Sequence, residues 1–332
     1  MNRINTFDYL RNNDLVNVKI SNDFKQNLKV KILNKYSTLI KFSKEIDIPR
    51  ETLAHMFNYS KYLKFDKLLR IAKEFDISDE EIYNEILALF ARGSNTSKEL
   101  MLNKELVVDE FFVEGYALYL AEGDNGSNGK TIPRKFRFTN SEPSVINHMV
   151  KWIKTYFPNN EFCVRVINPQ GNTIDFDHIK ELINHGNLRF REESYNKIVK
   201  YEIYFDSAIL IDLILSIEST IKELCTKDPK LATAYIRGMM IGEGTAYFNK
   251  SRYVRIEMRN EKEIKYLHKL LTLLSFDCKP VLRSNRHNMW SLYIGAKQLA
   301  KFAKEIGFGI HQERQQILEQ GVNKVLRVNQ YC

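Results

Sequence analysis

Two nonapeptides, Gly115-Tyr-Ala-Leu-Tyr-Leu-Ala-Glu-Gly123 and Ile236-Arg-Gly-Met-Met-Ile-Gly-Glu-Gly244, recur 121 residues apart and constrain this chain more than any other feature. Each runs apolar and small residues into a Glu-Gly pair. Counting back from each glutamate, small residues fall at the same two offsets: Ala117 and Ala121 before Glu122, Gly238 and Gly242 before Glu243. The i, i+4 spacing puts both on one helix face, and a face without bulk lets two helix axes come closer than the usual separation of about 8–10 Å. Packed on each other, the two helices would end with Glu122 beside Glu243. A carboxylate at a helix C-terminus is disfavoured by about 0.3–1 kcal/mol, because the macrodipole is negative there. A divalent cation shared by the two carboxylates and a phosphate explains both, magnesium being commonly held by one or two carboxylates plus substrate oxygens. The bland alternative is a helix closed by a glycine in the left-handed cap conformation, with the glutamate simply exposed.

The repeat extends further. Asn140, His148 and Phe157 follow the first glutamate, and Asn260, His268 and Phe276 follow the second at nearly the same steps. After each glutamate come a strand-like run (Lys135 to Thr139; Tyr253 to Met258) and a helix (Pro143 to Tyr156; Glu261 to Leu274). Further strands are expected at Phe162 to Ile167, Leu188 to Glu192 and Tyr201 to Phe205, then at Pro280 to Arg283 and Trp290 to Ile294. Helices near Ala208 to Leu224 and Ala296 to Ile306 close the copies.

On these residues the chain resembles a two-motif, single-chain member of the LAGLIDADG homing endonuclease family over roughly residues 108–325, including a late Ile306-Gly-Phe-Gly segment followed by Arg314. It departs from the family at Ala117, where glycine is usual, and at Leu120 and Ile241, where an earlier acidic residue often sits. The resemblance implies an α+β fold of two pseudo-symmetric αββαββα units, 108–227 and 228–332, whose two antiparallel sheets form a saddle over duplex DNA. It further implies that Glu122 and Glu243 bind Mg2+ or another divalent cation, that Ala117, Ala121, Gly238 and Gly242 pack the helices, and that cleavage leaves staggered ends. The family also places a basic residue near each metal; Lys279 and Arg283 are the expected pair in the second unit.

Strand-borne cations would meet the DNA. Lys130, Arg134, Lys135 and Arg137 lie in a stretch without an acid from Asn125 to Asn140, and alternation sends Arg134, Phe136 and Phe138 to one face and Lys135 and Arg137 to the other. Lys250, Arg252, Arg255, Lys279, Arg283 and Arg286 are their counterparts. Such contacts position the phosphates and supply affinity. A formal net charge of +9 suits a polyanionic partner.

Ahead of the repeat, residues 19–73 hold thirteen Lys or Arg against five Asp or Glu. Here Thr38 to Ile46 reads as a short helix, Asp47-Ile48 as a turn in which Asp47 stands where glycine is usual, and Pro49 opens a second helix carrying Arg50, Thr52 and His55 outward with Leu53 and Phe57 inward. Helices at Phe65 to Phe75 and Asp79 to Phe90, the latter capped by Ser78, complete a small all-α domain, 1–92, that resembles a Cro/repressor-type helix-turn-helix. Residues 93–107, with Gly93-Ser-Asn-Thr-Ser97, are expected to be a flexible linker.

Four scattered cysteines, Cys163, Cys225, Cys278 and Cys332, point to neither a zinc site nor a disulfide framework and fit a reducing cytoplasm. The beginning Met1-Asn-Arg-Ile has no apolar signal core, and the most apolar run, Ala208 to Ile217, contains Asp212 and is too short to span a bilayer. The expected partner is therefore double-stranded DNA rather than a membrane, and two motifs in one chain imply a monomer with pseudo-twofold symmetry. Three functions remain open: a site-specific, metal-dependent double-stranded DNA endonuclease of homing type; a DNA-binding transcriptional regulator that keeps the scaffold without cutting; and an RNA-directed maturase.

Overall fold

The computed structural model describes residues 2–11, 16–59, 62–91, 100–124, 135–158, 160–173, 175–248, 251–284 and 286–329. The front module holds β1 (Asn2–Asn5), α1 (Thr6–Leu10), β2 (Val16–Ile20), α2 (Asn22–Tyr36), α3 (Leu39–Glu45), α4 (Arg50–Asn58), β3 (Leu63–Lys64), α5 (Phe65–Lys73), α6 (Asp79–Glu85) and β4 (Ile86–Ala91). It is not all-α as expected. The helix read as Asp79 to Phe90 ends at Glu85, where Ile86 turns extended (ψ 118), and Ile86–Ala91 pairs antiparallel with β2 in a three-stranded sheet ordered β3-β2-β4. An apolar run reads equally as helix or strand over six residues; here an open strand more than sixty positions earlier supplies the backbone hydrogen bonds. Helices α3 and α4 flank the expected turn at Asp47-Ile48. Thr38 caps α3, Asp47 adopts φ +48, and Leu53, Met56 and Phe57 are buried while Arg50 and His55 are exposed and Thr52 half-buried. The Arg70 guanidinium donates to the carbonyls of Ile46 and Asp47 and so braces that turn.

The linker expectation fails in its second half. Residues 93–99 lie outside the described residues, but Leu100 bridges to Leu89 and β5 (Glu105–Val108) pairs along its whole length with β1. Thr6 Oγ1 donates to the Asn103 carbonyl at 2.7 Å, and Tyr9 Oη lies 2.8 Å from Thr220 Oγ1. Ile4, Phe7, Leu10, Leu106 and Val108 join one continuous apolar core with the rest of the chain. The front module is thus docked, not tethered.

One residue after β5, Asp109 caps α7 (Glu110–Glu122) by accepting from Phe112 N at 2.8 Å. Then follow β6 (Gly123–Asp124), β7 (Lys135–Asn140), α8 (Pro143–Tyr156), β8 (Cys163–Pro169), α9 (Phe176–Leu182), β9 (Leu188–Glu193), β10 (Lys200–Asp206), α10 (Ala208–Ser216) and α11 (Glu218–Lys227). The second unit repeats the order with α12 (Pro229–Glu243), β11 (Gly244–Tyr247), β12 (Tyr253–Met258), α13 (Glu261–Leu273), β13 (Val281–Leu282), β14 (Trp290–Gly295), α14 (Leu299–Glu305) and α15 (Gln312–Asn329). The sheets run β6-β7-β10-β8-β9 and β11-β12-β14-β13, so among the described residues the copies correspond strand for strand except at β9. That strand corrects the expectation of two purely antiparallel sheets: β9 pairs parallel with β8, and the crossover between them carries α9, which parallel neighbours require. The matched asparagines and phenylalanines have structural roles. Asn260 caps α13, Asn140 Oδ1 accepts from Glu142 N ahead of α8, and Phe157 and Phe276 are buried. No helix among the described residues is long and apolar enough to cross a membrane.

Candidate metal centre and nucleic-acid interface

Helices α7 and α12 pack backbone to backbone through the small-residue faces. A Cβ on Gly238 would stand 2.2 Å from the Glu114 carbonyl oxygen and 2.9 Å from Ala117 Cβ; on Gly242 it would stand 2.6 Å from Ala121 Cβ and 3.0 Å from Glu122 Cγ. Those under 3.0 Å are distances real side chains do not adopt, so glycine is what permits the approach. Gly123 and Gly244 are needed for space too, not for a left-handed cap: their φ values are −75 and −76, and a Cβ on either would lie 2.4 Å from a carbonyl of the preceding turn. The left-handed alternative is thereby removed.

Beneath the crossing lies an ion pair that the sequence did not disclose. Arg237 Nη1 on α12 meets Glu114 Oε2 on α7 at 3.1 Å, Arg237 Nε donates to the Ile306 carbonyl at 2.7 Å, and His148 Nε2 lies 3.4 Å from Glu114 Oε1. Burial pushes the Glu114 carboxyl up, against the pull of Arg237, and holds the His148 imidazole down at about 4, so the histidine is neutral there.

At the far end of the same helices stand Glu122 and Glu243. Glu122 is half-buried and its carboxyl is pushed up to about 7, first by desolvation and then by the negative charge of Glu243. Glu243 reaches solvent, yet partial desolvation raises it as well. The positive charge that opposes both is Arg314 of α15, whose Nη1 donates to the carbonyls of Ile241 at 2.6 Å and Gly242 at 2.8 Å and so also caps the negative end of α12. Two repelling carboxylates at paired helix ends, offset by one arginine, fit a further cation. Among the described residues no group of three or more His, Cys, Asp or Glu gathers.

Of the basic residues expected to assist there, Lys279 is exposed and Arg283 is engaged elsewhere, at Glu257 (3.2 Å) and the Tyr293 hydroxyl. Arg314, named in the sequence only for the closing segment, takes the place beside the glutamates because the fold returns α15 across α12, which local spacing does not reveal.

The sheet faces sort as alternation predicts. Phe136 and Phe138 are fully buried while Lys135 and Arg137 face outward, and Arg255 is outward between buried Val254 and Ile256. Arg137 and Arg255 occupy matching positions, opposite Tyr204 and Tyr293 on the neighbouring strands. Arg252 and Arg286 are also described, half-buried and exposed respectively; Lys130, Arg134 and Lys250 lie outside the described residues. Three cations of the first face were missed: Arg165, Arg191 and Lys200 line a groove with Arg137 and Glu202. The strands bearing Arg165 and Arg191 were recognised, so outward alternation would have found those two, whereas Lys200 stands one residue before the strand expected from Tyr201 to Phe205.

The family model for the LAGLIDADG-like domain matches residues 230–307. Among solved structures the chain is similar to I-DmoI in complex with DNA and Mn, at 16% identity over 60% of this chain and 98% of that one with a TM-score of 0.38. It is also similar to mesophilic variants of the homing endonuclease I-DmoI, at 19% identity over 60% and 91% with a TM-score of 0.40. The N-terminal LAGLIDADG domain of DUF199/WhiA is similar at 15% identity over 60% and 82%, with a TM-score of 0.36. No curated protein matches the chain in sequence. Residues 230–307 are thus similar to a LAGLIDADG-like domain, and the unit before them repeats their order of elements around the same helical motif.

Proposed function

We propose that the protein is a site-specific, divalent-metal-dependent endonuclease for double-stranded DNA, leaving staggered ends and acting as a monomer with pseudo-twofold symmetry. One observation carries this reading: the two glutamates lie at the same end of the closely packed motif helices, near enough for the charge of one to raise the carboxyl of the other. Glu122 and Glu243 would hold Mg2+ or another divalent cation, which supplies charge stabilisation for the phosphoryl oxygens and an activated water when bound. The chain's own part is to orient the two carboxylates by helix packing, to fix the α12 terminus through Arg314, and to hold the duplex with the outward cations of both sheets. The helix-turn-helix would extend recognition through Arg50, Thr52 and His55 on α4. The proposed units are 1–92, 108–227 and 228–332.

Purified protein given magnesium and a duplex library should make double-strand breaks, and Glu122→Gln or Glu243→Gln should abolish them while leaving binding intact. Binding at one site with no cleavage in any divalent metal would select a second reading, a DNA-binding regulator. Arg314 favours that reading, since it already offsets part of the glutamates' charge without a metal.

A further inference from the structure

The outward face of the second sheet has an acid among its arginines. Glu257 on β12 points outward with Arg255, between inward Ile256 and the strand end. Its Oε2 meets Arg255 Nη2 at 3.1 Å and Arg286 Nη1 at 3.3 Å; its Oε1 meets Arg283 Nη1 at 3.2 Å and accepts from Ser291 Oγ at 2.9 Å. Three guanidinium groups, one from β12 and two from the β13–β14 connection, thus converge on one carboxylate that is 11% exposed. Arg283 also donates to the Tyr293 hydroxyl, which Arg255 and Arg283 together hold below its ordinary value.

A face built only to hold phosphates gains nothing from this arrangement, because the acid cancels one of three positive charges and repels the DNA backbone. What it gains is geometry. A guanidinium is a planar fork, and its value in reading a guanine edge depends on that fork being fixed before the base arrives. The first sheet holds a counterpart at the same register: Glu202 opposes Thr139 as Glu257 opposes Ser291, with acid and hydroxyl exchanged between strands, and Arg165 Nη1 meets Glu202 at 2.5 Å.

We propose that Glu257 is a positioning residue that sets the sequence specificity of the second half: it fixes Arg255 and Arg283 for base-edge reading and withholds their charge from the phosphates. This rests on the DNA-binding reading above. The test compares the full-length wild type with Glu257→Gln in two measurements: selection from a random-sequence duplex library, and salt-dependent binding to one fixed, unselected duplex. The variant should bind the unselected duplex about tenfold more tightly at low salt, with a log–log salt slope steeper by roughly 1, as one more phosphate is neutralised. It should also lose base preference in one half of the selected site. Arg283→Lys, which keeps the charge but not the fork, should lose the same preference with the salt slope unchanged. A Glu257→Gln protein with wild-type slope and selected sequence overturns the proposal, as does a Glu257→Gln protein too unstable to bind if Arg283→Lys then keeps full base preference. A wild type that selects no sequence at all overturns the DNA-binding reading instead.

Discussion

Gly238 faces the carbonyl oxygen of Glu114 so closely that a methyl group in place of its hydrogen would lie 2.2 Å from that oxygen. The atom in the way is backbone, which cannot rotate aside, so the helices themselves must part. Gly238→Ala should cost about 1–3 kcal/mol of stability, as overpacking in a rigid core does. A chemical denaturation curve measures it. The same shift should spread the glutamates and weaken divalent-cation binding, whereas an alanine at the open position Gly186 should do neither.

The Glu114–Arg237 pair lies in the same interface. Glu114→Ala leaves the Arg237 guanidinium facing Glu114's former site with part of its charge uncompensated, although Arg237 keeps its bonds to the carbonyls of Ile306 and Glu305. Because Arg237 is 28% exposed, the loss should fall near 2 kcal/mol, below the range for fully buried pairs. Glu114→Gln, which retains an acceptor, should cost less; thermal unfolding of both variants decides.

Cation binding should depend on pH with a definite sign. The Glu122 carboxyl is raised to about 7, so below pH 7 the folded protein holds a proton there that a metal must displace. Affinity for Mg2+ or Mn2+, read by calorimetry, should therefore fall up to about tenfold for each pH unit below 7 and level off above it. Stability without metal runs the other way. A raised carboxyl favours the folded state while protonated, so stability should decline as pH rises from the ordinary carboxylate range through 7. Glu122→Gln should flatten both profiles.

Docking of the front module fixes the spacing of any two sites it reads together with the sheets. Inserting five base pairs between the parts of a selected site turns one about half a helical turn from the other. A molecule joined by the β1–β5 pairing and the Tyr9–Thr220 contact should then lose most of its affinity gain, with the footprint retreating to one part. A flexible tether would tolerate the insertion.

Much of this architecture was legible because repeats and periodicities are local. The motif helices, the strand Tyr253–Met258 and the helix opened by Pro143 could be read from their own residues, and Asp47, read as standing where the turn glycine is usual, does adopt positive φ. What stayed hidden depends on partners distant in sequence. Ile86–Ala91 becomes a strand only because Val16–Ile20 is waiting for it, and Arg314 reaches the glutamates only because α15 returns across α12. The gathering of three arginines on Glu257 requires knowing the register of β12 against β14 as well as the path of the connection before it.

Among the described residues, the parallel strand β9 belongs to one unit alone. It widens that sheet by one strand spacing, about 4.8 Å. A duplex laid across both sheets would be covered unequally by the two halves, so turning it end for end would not restore the same contacts. Polarity is built into the scaffold itself, and a palindromic recognition sequence would waste part of the surface this fold provides.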